Sequence, residues 1–196
     1  MISFLVAVSL ASAESPWPLH TIDGFDAEQG KRGADGVRLA NVNGDGLPDV
    51  TTGWEEGGAV RVCLHPGHDK AGGIWPAVTV GSVTGVEDAV FADLDGDGAI
   101  DVVSCAEGKV NRVSVHWAPS GEEDYLDSEK WSTEAFPASE GRHWMFAVPM
   151  DVNGDRKVDL VVGSKGKRAI AGWLENPGNA TASRWWIWTR TATSTS

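Results

Sequence analysis

Short apolar segments rich in β-branched residues recur along the chain, and clusters of Asp, Asn and Gly separate them. In the middle of the chain, residues 76–80, 89–92 and 102–105 are such segments, and residues 110–117 alternate apolar and polar side chains. A period of two between turn-forming residues is typical of β-strands. No apolar period near 3.6 persists, so the pattern predicts an all-β fold without helices.

Three sequence markers recur at a nearly constant spacing. Acidic turns of nine residues start at Asn41, Asp93 and Asp151, which are 52 and 58 residues apart, and turns containing a proline follow each of them. Tryptophan begins a short strand-like segment at four positions: Trp17, Trp75, Trp131 and Trp185. Four short antiparallel strands recurring at this spacing predict β-propeller blades, because a propeller repeats a four-stranded sheet around an axis.

These markers divide the chain into repeat units. The predicted blades lie within residues 14–190, and their approximate bounds are 17–74, 75–130 and 131–184, with the start of a fourth blade at 185. Residues 191–196 form a polar tail without a core pattern. Closed propellers have about four to eight blades. We therefore expect an incomplete ring, which is either part of a longer propeller or is completed by several chains.

The first residues have the features of a secretory signal. An apolar run over residues 2–10 precedes Ala11-Ser12-Ala13, which predicts a signal peptide over residues 1–13, although no Lys or Arg comes before the run. The alternative is a buried first strand. No later apolar run approaches the length of a membrane span. We expect a protein that is secreted, periplasmic or attached to the cell surface, without a membrane span in the mature chain.

Charge and cysteine content narrow the function classes. The formal net charge of −12 argues against a nucleic-acid partner, because nucleic-acid binding proteins neutralise phosphates with basic patches. Nine of the 28 acidic residues lie in the three acidic turns, so part of the charge has a local explanation. The two cysteines, Cys63 and Cys105, are too few for a disulfide scaffold. They either pair after export or remain free in strands.

The middle acidic turn has the ligand spacing of a site for a hard cation. Its oxygen-bearing side chains occupy positions 1, 3, 5 and 9 of the nine residues: Asp93, Asp95, Asp97 and Asp101. Gly98 at position 6 permits a sharp turn, and Ala99 at position 7 would add its backbone carbonyl, as Ca²⁺ requires. An EF-hand would place a bidentate Glu on a helix at position 12, where this chain has Ser104 after β-branched residues. The turn is therefore expected to enter a strand.

All three turns follow the pattern Asp/Asn-x-Asp/Asn-x-Asp-Gly-x-x-Asp, except that Arg156 replaces the glycine in the third, and each leads directly into an apolar strand. This arrangement resembles the FG-GAP/VCBS-type repeats of integrin α-subunit-like β-propellers and of many secreted bacterial proteins. The resemblance extends over roughly residues 17–190 and implies a calcium-stabilised β-propeller.

Carried over position by position, the resemblance implies three calcium sites. The side-chain ligands would be Asn41, Asn43, Asp45 and Asp49; Asp93, Asp95, Asp97 and Asp101; and Asp151, Asn153, Asp155 and Asp159. The backbone carbonyls would come from Leu47, Ala99 and Lys157. We expect the middle turn to bind best. The first turn has only two carboxylates, and the third has Lys157 beside the cation and Arg156 where a glycine relieves strain if φ is positive.

Polar residues just before the acidic turns are the remaining candidates for a ligand site, because face loops on a rigid scaffold often bind ligands. They are Asp35 and Arg38, Glu87 and Asp88, and Arg142 and His143. His143, which lies beside Arg142, could act as acid or base on an anionic sugar, and the resemblance extends to some sugar lyases and dehydratases. The alternative is that all six are solvated turn residues.

The sequence therefore favours an exported calcium-binding protein that acts as a binding or scaffolding module for glycans or extracellular proteins. Open blade edges would also allow self-association. The alternatives are a fragment of a propeller-fold carbohydrate-active enzyme, of the polysaccharide lyase or sugar dehydratase type, and a nonfunctional fragment of either protein. No Ser-His-Asp signature, phosphate-binding glycine loop or Cys/His metal cluster is present in the sequence.

Overall fold

Three antiparallel sheets are present in the computed structural model, which describes residues 17–178. The first sheet has the strand order β1-β2-β3-β4, with the bounds Ala34–Ala40, Asp49–Trp54, Ala59–Cys63 and Ala77–Ser82. The second has the order β5-β6-β7-β8, with the bounds Val86–Ala92, Asp101–Ala106, Val113–Trp117 and Ser132–Ala135. The third has the order β11-β10-β9, and its strands β9, β10 and β11 have the bounds His143–Met150, Asp159–Lys165 and Ala171–Leu174.

The all-β prediction is confirmed. Within residues 17–178 the only helical segments are short 3₁₀ turns, at His68–Lys70, Glu122–Asp124, Ser128–Lys130 and Pro137–Ser139. The sheets have four, four and three strands, which is consistent with propeller blades, and those described do not form a closed ring. None of these residues belongs to a helix long and apolar enough to cross a membrane.

Each sheet begins in the same way. Its first strand runs into an acidic turn and its second strand returns from it, with the pairs Ala40↔Asp49, Ala92↔Asp101 and Met150↔Asp159 next to the turns. Backbone hydrogen bonds also join the first two sheets at the ends that lie away from the acidic turns. The N–H of Gly85 donates to the carbonyl of Glu55 (3.1 Å), and the N–H of Glu107 donates to the carbonyl of Gly85 (2.8 Å). We call the two ends of the sheets the acidic-turn end and the opposite end.

The sheets pack on one another through two apolar cores. The core between the first two sheets is built mainly from valines, including Val60, Val62, Val86 and Val102. The core between the second and third sheets contains Val103, Cys105, Val115, Trp144 and Leu160. Fully burying a side chain of this kind contributes about 1.5–3 kcal/mol. These two interfaces hold the acidic turns at one end of the molecule.

The sheets do not begin at the predicted blade boundaries. The predicted boundary at 74/75 lies inside the first sheet, where β4 pairs with β3, and the boundary at 130/131 lies inside the second, where β8 pairs with β7. A tryptophan-led segment therefore completes the preceding sheet and does not open the next one. The structure has no strand at residues 17–22, where the sequence predicts one. The boundaries are displaced by one strand, since a repeat period alone does not determine where each sheet starts.

Residues 17–33 are tied to the first sheet by a nearly buried charge cluster. The Asp23 carboxylate lies 2.9 Å from Nε of Arg61 and 3.0 Å from Nζ of Lys31. Arg61 is on the face turned away from the second sheet, because its neighbours Val60 and Val62 face the shared core and successive side chains of a strand alternate. Only 6% of the Asp23 side chain and 7% of the Arg61 side chain are exposed. Asp23 and Lys31 of this segment are thus part of the packed fold.

Both cysteines are free thiols that are buried in strands β3 and β6. Burial raises the pKa of Cys63 to about 12 and also raises the pKa of Cys105. The predicted signal peptide at residues 1–13, the predicted start of a fourth blade at 185 and the polar tail at 191–196 lie outside the described residues.

Candidate functional site

The aspartate at position 9 of each acidic turn is buried and holds the turn against the end of its sheet. One oxygen of Asp101 accepts the N–H of Leu94 (3.1 Å) inside the turn, and the other accepts the N–H of Ala118 (2.9 Å) just after β7. The same bonds recur in the other two turns. Asp49 accepts the N–H groups of Val42 and His65, both at 2.8 Å. Asp159 accepts those of Val152 at 3.0 Å and Asn176 at 2.8 Å. The aspartate at position 9 thus fixes the turn to its sheet, in addition to being a predicted metal ligand.

Side chains at positions 3 and 5 order the turn itself. In the middle turn, the N–H of Asp97 donates to Asp95 (3.1 Å) and the N–H of Ala99 donates to Asp97 (2.8 Å). Asp93 at position 1 accepts the N–H groups of Gly96 (2.8 Å) and Gly98 (3.2 Å). These bonds orient the carboxylates through the local backbone. Each carboxylate oxygen keeps lone-pair capacity for a cation, because it has two lone pairs.

The middle turn brings three carboxylates together. One oxygen each from Asp93, Asp95 and Asp101 lie within 4.8 Å of one another. Oxygens bound to one Ca²⁺ at 2.3–2.6 Å can be no more than about 4.6–5.2 Å apart, so this spacing fits a shared hard cation. Asp97, the fourth predicted side-chain ligand, is not in this cluster. The donor set, which consists of oxygen atoms only, also fits calcium or magnesium better than a softer metal.

Burial and charge repulsion of the carboxylates in the middle turn favour a bound cation. Burial raises the pKa of Asp101 to about 7, and the charges of Asp95 and Asp97 add to this effect. Burial likewise raises the pKa of Asp95. The hydroxyl of Tyr125 accepts the N–H of Ile100 (2.6 Å) and donates to its carbonyl (3.0 Å), which braces the turn beside Asp101. A cation would stabilise the charged form of these crowded carboxylates.

The first and third turns differ from the middle one. In the third, Nζ of Lys157 lies 2.7 Å from the Asp155 carboxylate, and this contact lowers the pKa of Asp155. Lys157 therefore places a positive charge where a cation would bind. The first turn has only Asp45 and Asp49 as carboxylates. Among the residues that the structure describes, neither turn forms a three-carboxylate cluster. All fifteen predicted ligands thus lie in ordered turns, while the carboxylates converge in the middle one.

Arg156 occupies a left-handed backbone position, with φ at 68°, so the predicted steric cost applies to the third turn. We expect Arg156→Gly to raise the free energy of unfolding by up to about 1 kcal/mol, because relief of strain exceeds the added entropy of the unfolded chain. The melting temperature should rise by about 2–4 °C in thermal unfolding. The reverse change in the middle turn, Gly98→Arg at φ 92°, should lower it. An unchanged melting temperature for both variants would contradict this reading.

Comparison with protein families supports the sequence resemblance over part of the chain. The family model described as FG-GAP-like repeat matches residues 34–104, from the start of β1 to within β6. Residues 34–104 form an FG-GAP-like repeat. This repeat contains the first two acidic turns, and its match confirms the predicted repeat type over these residues. A search of curated proteins found no match to the chain.

At the opposite end of the sheets, the FG-GAP-like repeat contributes to a second charged cluster. Oxygens of Glu55, Glu87 and Glu107 lie within 4.8 Å of one another. Nζ of Lys165 lies 2.7 Å from Glu107 and 3.5 Å from Glu87, and Nδ1 of His143 lies 3.5 Å from Glu107. Lys165 therefore supplies a positive charge among these carboxylates.

The carboxyl groups of Glu87 and Glu107 have opposite pKa shifts. Burial raises the pKa of Glu87 to about 7, and its hydrogen bond with Glu107 and the charge of that residue add to the rise. The hydrogen bond from Lys165 lowers the pKa of Glu107. As pH falls below about 7, Glu87 thus takes up a proton that it shares with the ionised Glu107.

The structure brings together some of the six polar residues that the sequence suggests as a ligand site and separates others. Glu87 and His143 meet through Glu107. Asp88 and Arg38 instead form an ion pair at 2.9 Å, and Asp35 accepts the N–H of Gly36. Arg142 donates to the carbonyl of Arg168 (2.6 Å). Sequence reasoning missed Glu55, Glu107 and Lys165, although each lies six residues after a position-9 aspartate. An alignment of the repeats would have found them.

The proton on Glu87 predicts how stability depends on pH. Its folded pKa of about 7 is above the usual value of 4.5, so the folded state binds more protons than the unfolded state between those values. The free energy of unfolding should therefore fall as pH rises from about 4.5 to 7. Glu87→Gln should make this fall smaller. Between pH 5 and 7.5, the melting temperature of the variant should drop by about 2–4 °C less than that of the wild type.

Thermal unfolding of both proteins across this pH range, without added calcium, would measure the difference. Glu56→Gln is the control, because Glu56 is an exposed carboxylate in the same turn as Glu55. Parallel pH profiles for the wild type and Glu87→Gln would contradict the proton on Glu87.

Proposed function

We propose that this protein is an exported, calcium-stabilised repeat module that binds glycans or extracellular proteins. The observation that supports the proposal most directly is the convergence of Asp93, Asp95 and Asp101 within 4.8 Å in an FG-GAP-like repeat. Calcium accepts six to eight oxygen ligands in flexible geometry, whereas Mg²⁺ demands near-ideal octahedral geometry and retains several waters. A turn rich in carboxylates therefore suits calcium.

In this proposal the chain's own residues hold the ion and the ion stabilises the turn. The side chains of Asp93, Asp95, Asp97 and Asp101 and the carbonyl of Ala99 would bind it. Bound Ca²⁺ would neutralise the crowded carboxylates and cross-link the end of β5 to the start of β6. Asp101 would then connect the ion to the end of β7 through its bond with Ala118. The acidic-turn end acts as a rigid support, and the opposite end remains open to ligands.

A glycan array with calcium-loaded protein tests the binding function. We expect selective binding of a glycan class that decreases when a chelator lowers the stability of the fold. If the protein binds no glycan on the array and captures no extracellular protein, the proposal is wrong. Export is tested separately by N-terminal sequencing of the secreted protein, which should begin at Glu14 if the signal peptide is cleaved after Ala13.

A second candidate function is that of a carbohydrate-active enzyme of the polysaccharide lyase or sugar dehydratase type. The specific observation in its favour is the pair Glu87 and Glu107, whose pKa values are shifted in opposite directions beside His143. Such pairs often divide the roles of acid and base. Turnover of acidic polysaccharides that is lost in His143→Ala and Glu87→Gln would favour the enzyme, whereas binding without turnover would favour the module.

A further inference from the structure

We infer that the third sheet carries a binding site for an oxyanion group of an acidic oligosaccharide. The site is a cavity of about 190 Å³ at the opposite end of the sheets, between the turn that precedes β9 and the turn that joins β10 to β11. Its side-chain lining consists of basic residues and histidine: Arg142, His143, Lys165, Lys167 and Arg168. This inference rests on the proposed function, for which it names the ligand class.

The charge of this cavity contrasts with that of the whole chain. The chain has a formal net charge of −12 and only 16 Lys and Arg residues, four of which line the cavity. The Lys165 charge is matched by Glu107 at 2.7 Å. For Arg142, Lys167 and Arg168, the described part of the chain provides no carboxylate within 4.0 Å. Three such basic side chains on one concave surface concentrate counter-ions, so an anion is the ligand that this cavity attracts.

The turn that joins the second and third strands of a sheet does not need basic residues. In each sheet, this turn starts six residues after the position-9 aspartate. In the first sheet its sequence is Glu55-Glu56-Gly57-Gly58. The second sheet has Glu107-Gly108-Lys109, and the third has Lys165-Gly166-Lys167-Arg168. The same strand connection therefore accepts an acidic, a mixed or a basic turn. The basic turn of the third sheet is thus a local property that the strand connection itself does not require.

Two hydrogen bonds brace the cavity. Nη1 of Arg142 donates to the carbonyl of Arg168 (2.6 Å), and Nη2 of Arg168 donates to the carbonyl of Gly141 (3.2 Å). Each guanidinium has five N–H donors, so both retain donors for an oxyanion. Because the two turns hold each other in place, less conformational entropy is lost when a ligand binds.

The size of the cavity limits the ligand. Sites for drug-sized molecules have volumes of about 300–1,000 Å³. A cavity of about 190 Å³ accommodates one charged group and part of the unit that carries it. Guanidinium groups bind carboxylate, sulfate and phosphate alike, which is why the experiment must separate these sources. An acidic oligosaccharide presents such a group on an extended chain that the open cavity can admit.

Calorimetric titration of the calcium-loaded protein tests the inference. The probes are a galacturonate oligosaccharide, a sulfated oligosaccharide, inorganic phosphate and a neutral oligosaccharide of equal length. Lys167→Glu is the main variant, because this exposed side chain lines the cavity. Lys109→Glu is its matched control, since Lys109 is exposed and lies at the same repeat position, eight residues after the position-9 aspartate, in the second sheet.

We expect an acidic oligosaccharide to bind and the neutral one not to bind. Lys167→Glu should weaken binding by about tenfold or more, and Lys109→Glu should leave it within about twofold. Equal losses in both variants, or no binding of either acidic oligosaccharide, would overturn the inference. Phosphate that binds as tightly as the oligosaccharides would overturn the ligand class. A lost oligosaccharide signal with intact calcium stabilisation would reject this site without rejecting the calcium-stabilised module.

Discussion

Asp23→Ala is expected to destabilise the protein by about 3–5 kcal/mol, because it leaves two nearly buried cations without their partner. The Asp23 carboxylate lies 2.9 Å from Arg61 and 3.0 Å from Lys31, and no more than 11% of any of these three side chains is exposed. Arg61 would keep only its bond to Thr79 among the contacts of its guanidinium. The melting temperature should fall by roughly 6–20 °C in thermal unfolding.

Asp69→Ala is a suitable control for Asp23→Ala. Asp69 is an exposed carboxylate in the 3₁₀ turn at His68–Lys70. Its removal should change the free energy of unfolding by no more than about 0.5 kcal/mol. A fall of less than 2 °C in the melting temperature of Asp23→Ala would correspond to a loss of no more than about 0.5–1 kcal/mol. That result would mean that residues 17–33 are not part of the cooperative fold.

Asp159→Ala is expected to cost about 2–4 kcal/mol even when a chelator is present. Its two oxygens accept the N–H groups of Val152 (3.0 Å) and Asn176 (2.8 Å), and the side chain is fully buried. Each donor left without an acceptor costs about 1–3 kcal/mol. The third turn lacks a three-carboxylate cluster among the described residues, so this substitution isolates the structural role of position 9 from metal binding.

The same turn supplies the control for Asp159→Ala. Asp155 is also a predicted ligand, but it pairs with Lys157 at the surface, where solvent screens the two charges and the pair adds little to stability. Thermal unfolding in chelator should therefore separate the two variants by roughly 4–10 °C. Equal melting temperatures for Asp155→Ala and Asp159→Ala would contradict the structural role of position 9.

Much of the fold can be predicted from the sequence because its signals are local. Three turns of the same type, each followed by β-branched residues, predict a strand directly after each turn, and the structure has β2, β6 and β10 there, each starting one residue earlier, at the position-9 aspartate. The assignment of tryptophan-led segments to sheets depends on partners distant in sequence. Trp75 could open one sheet or lead into the last strand of another, and only the pairing of β4 with β3 decides between them.

The charged sites were less predictable for the same reason. The pairing of Asp23 with Arg61 links residues 38 apart, and no local pattern indicates it. Lys165 meets Glu107 only because adjacent sheets pack side by side. Arg142 and His143 were singled out from the sequence, whereas Lys167 and Arg168 join them through the β10–β11 turn. Residue type suggested the chemistry, but packing between the sheets determined which groups meet.

Thermal unfolding with saturating calcium and with excess chelator tests the central claim, that the middle turn binds a stabilising calcium ion. At a concentration of about 100 times the dissociation constant, calcium should add about 2.7 kcal/mol. The melting temperature should then rise by about 5–10 °C. Asp95→Ala should lose most of this rise, whereas Asn43→Ala, at the same position of the first turn, should keep it. A melting temperature that is indifferent to the chelator, or an equal rise in Asp95→Ala, would contradict the account.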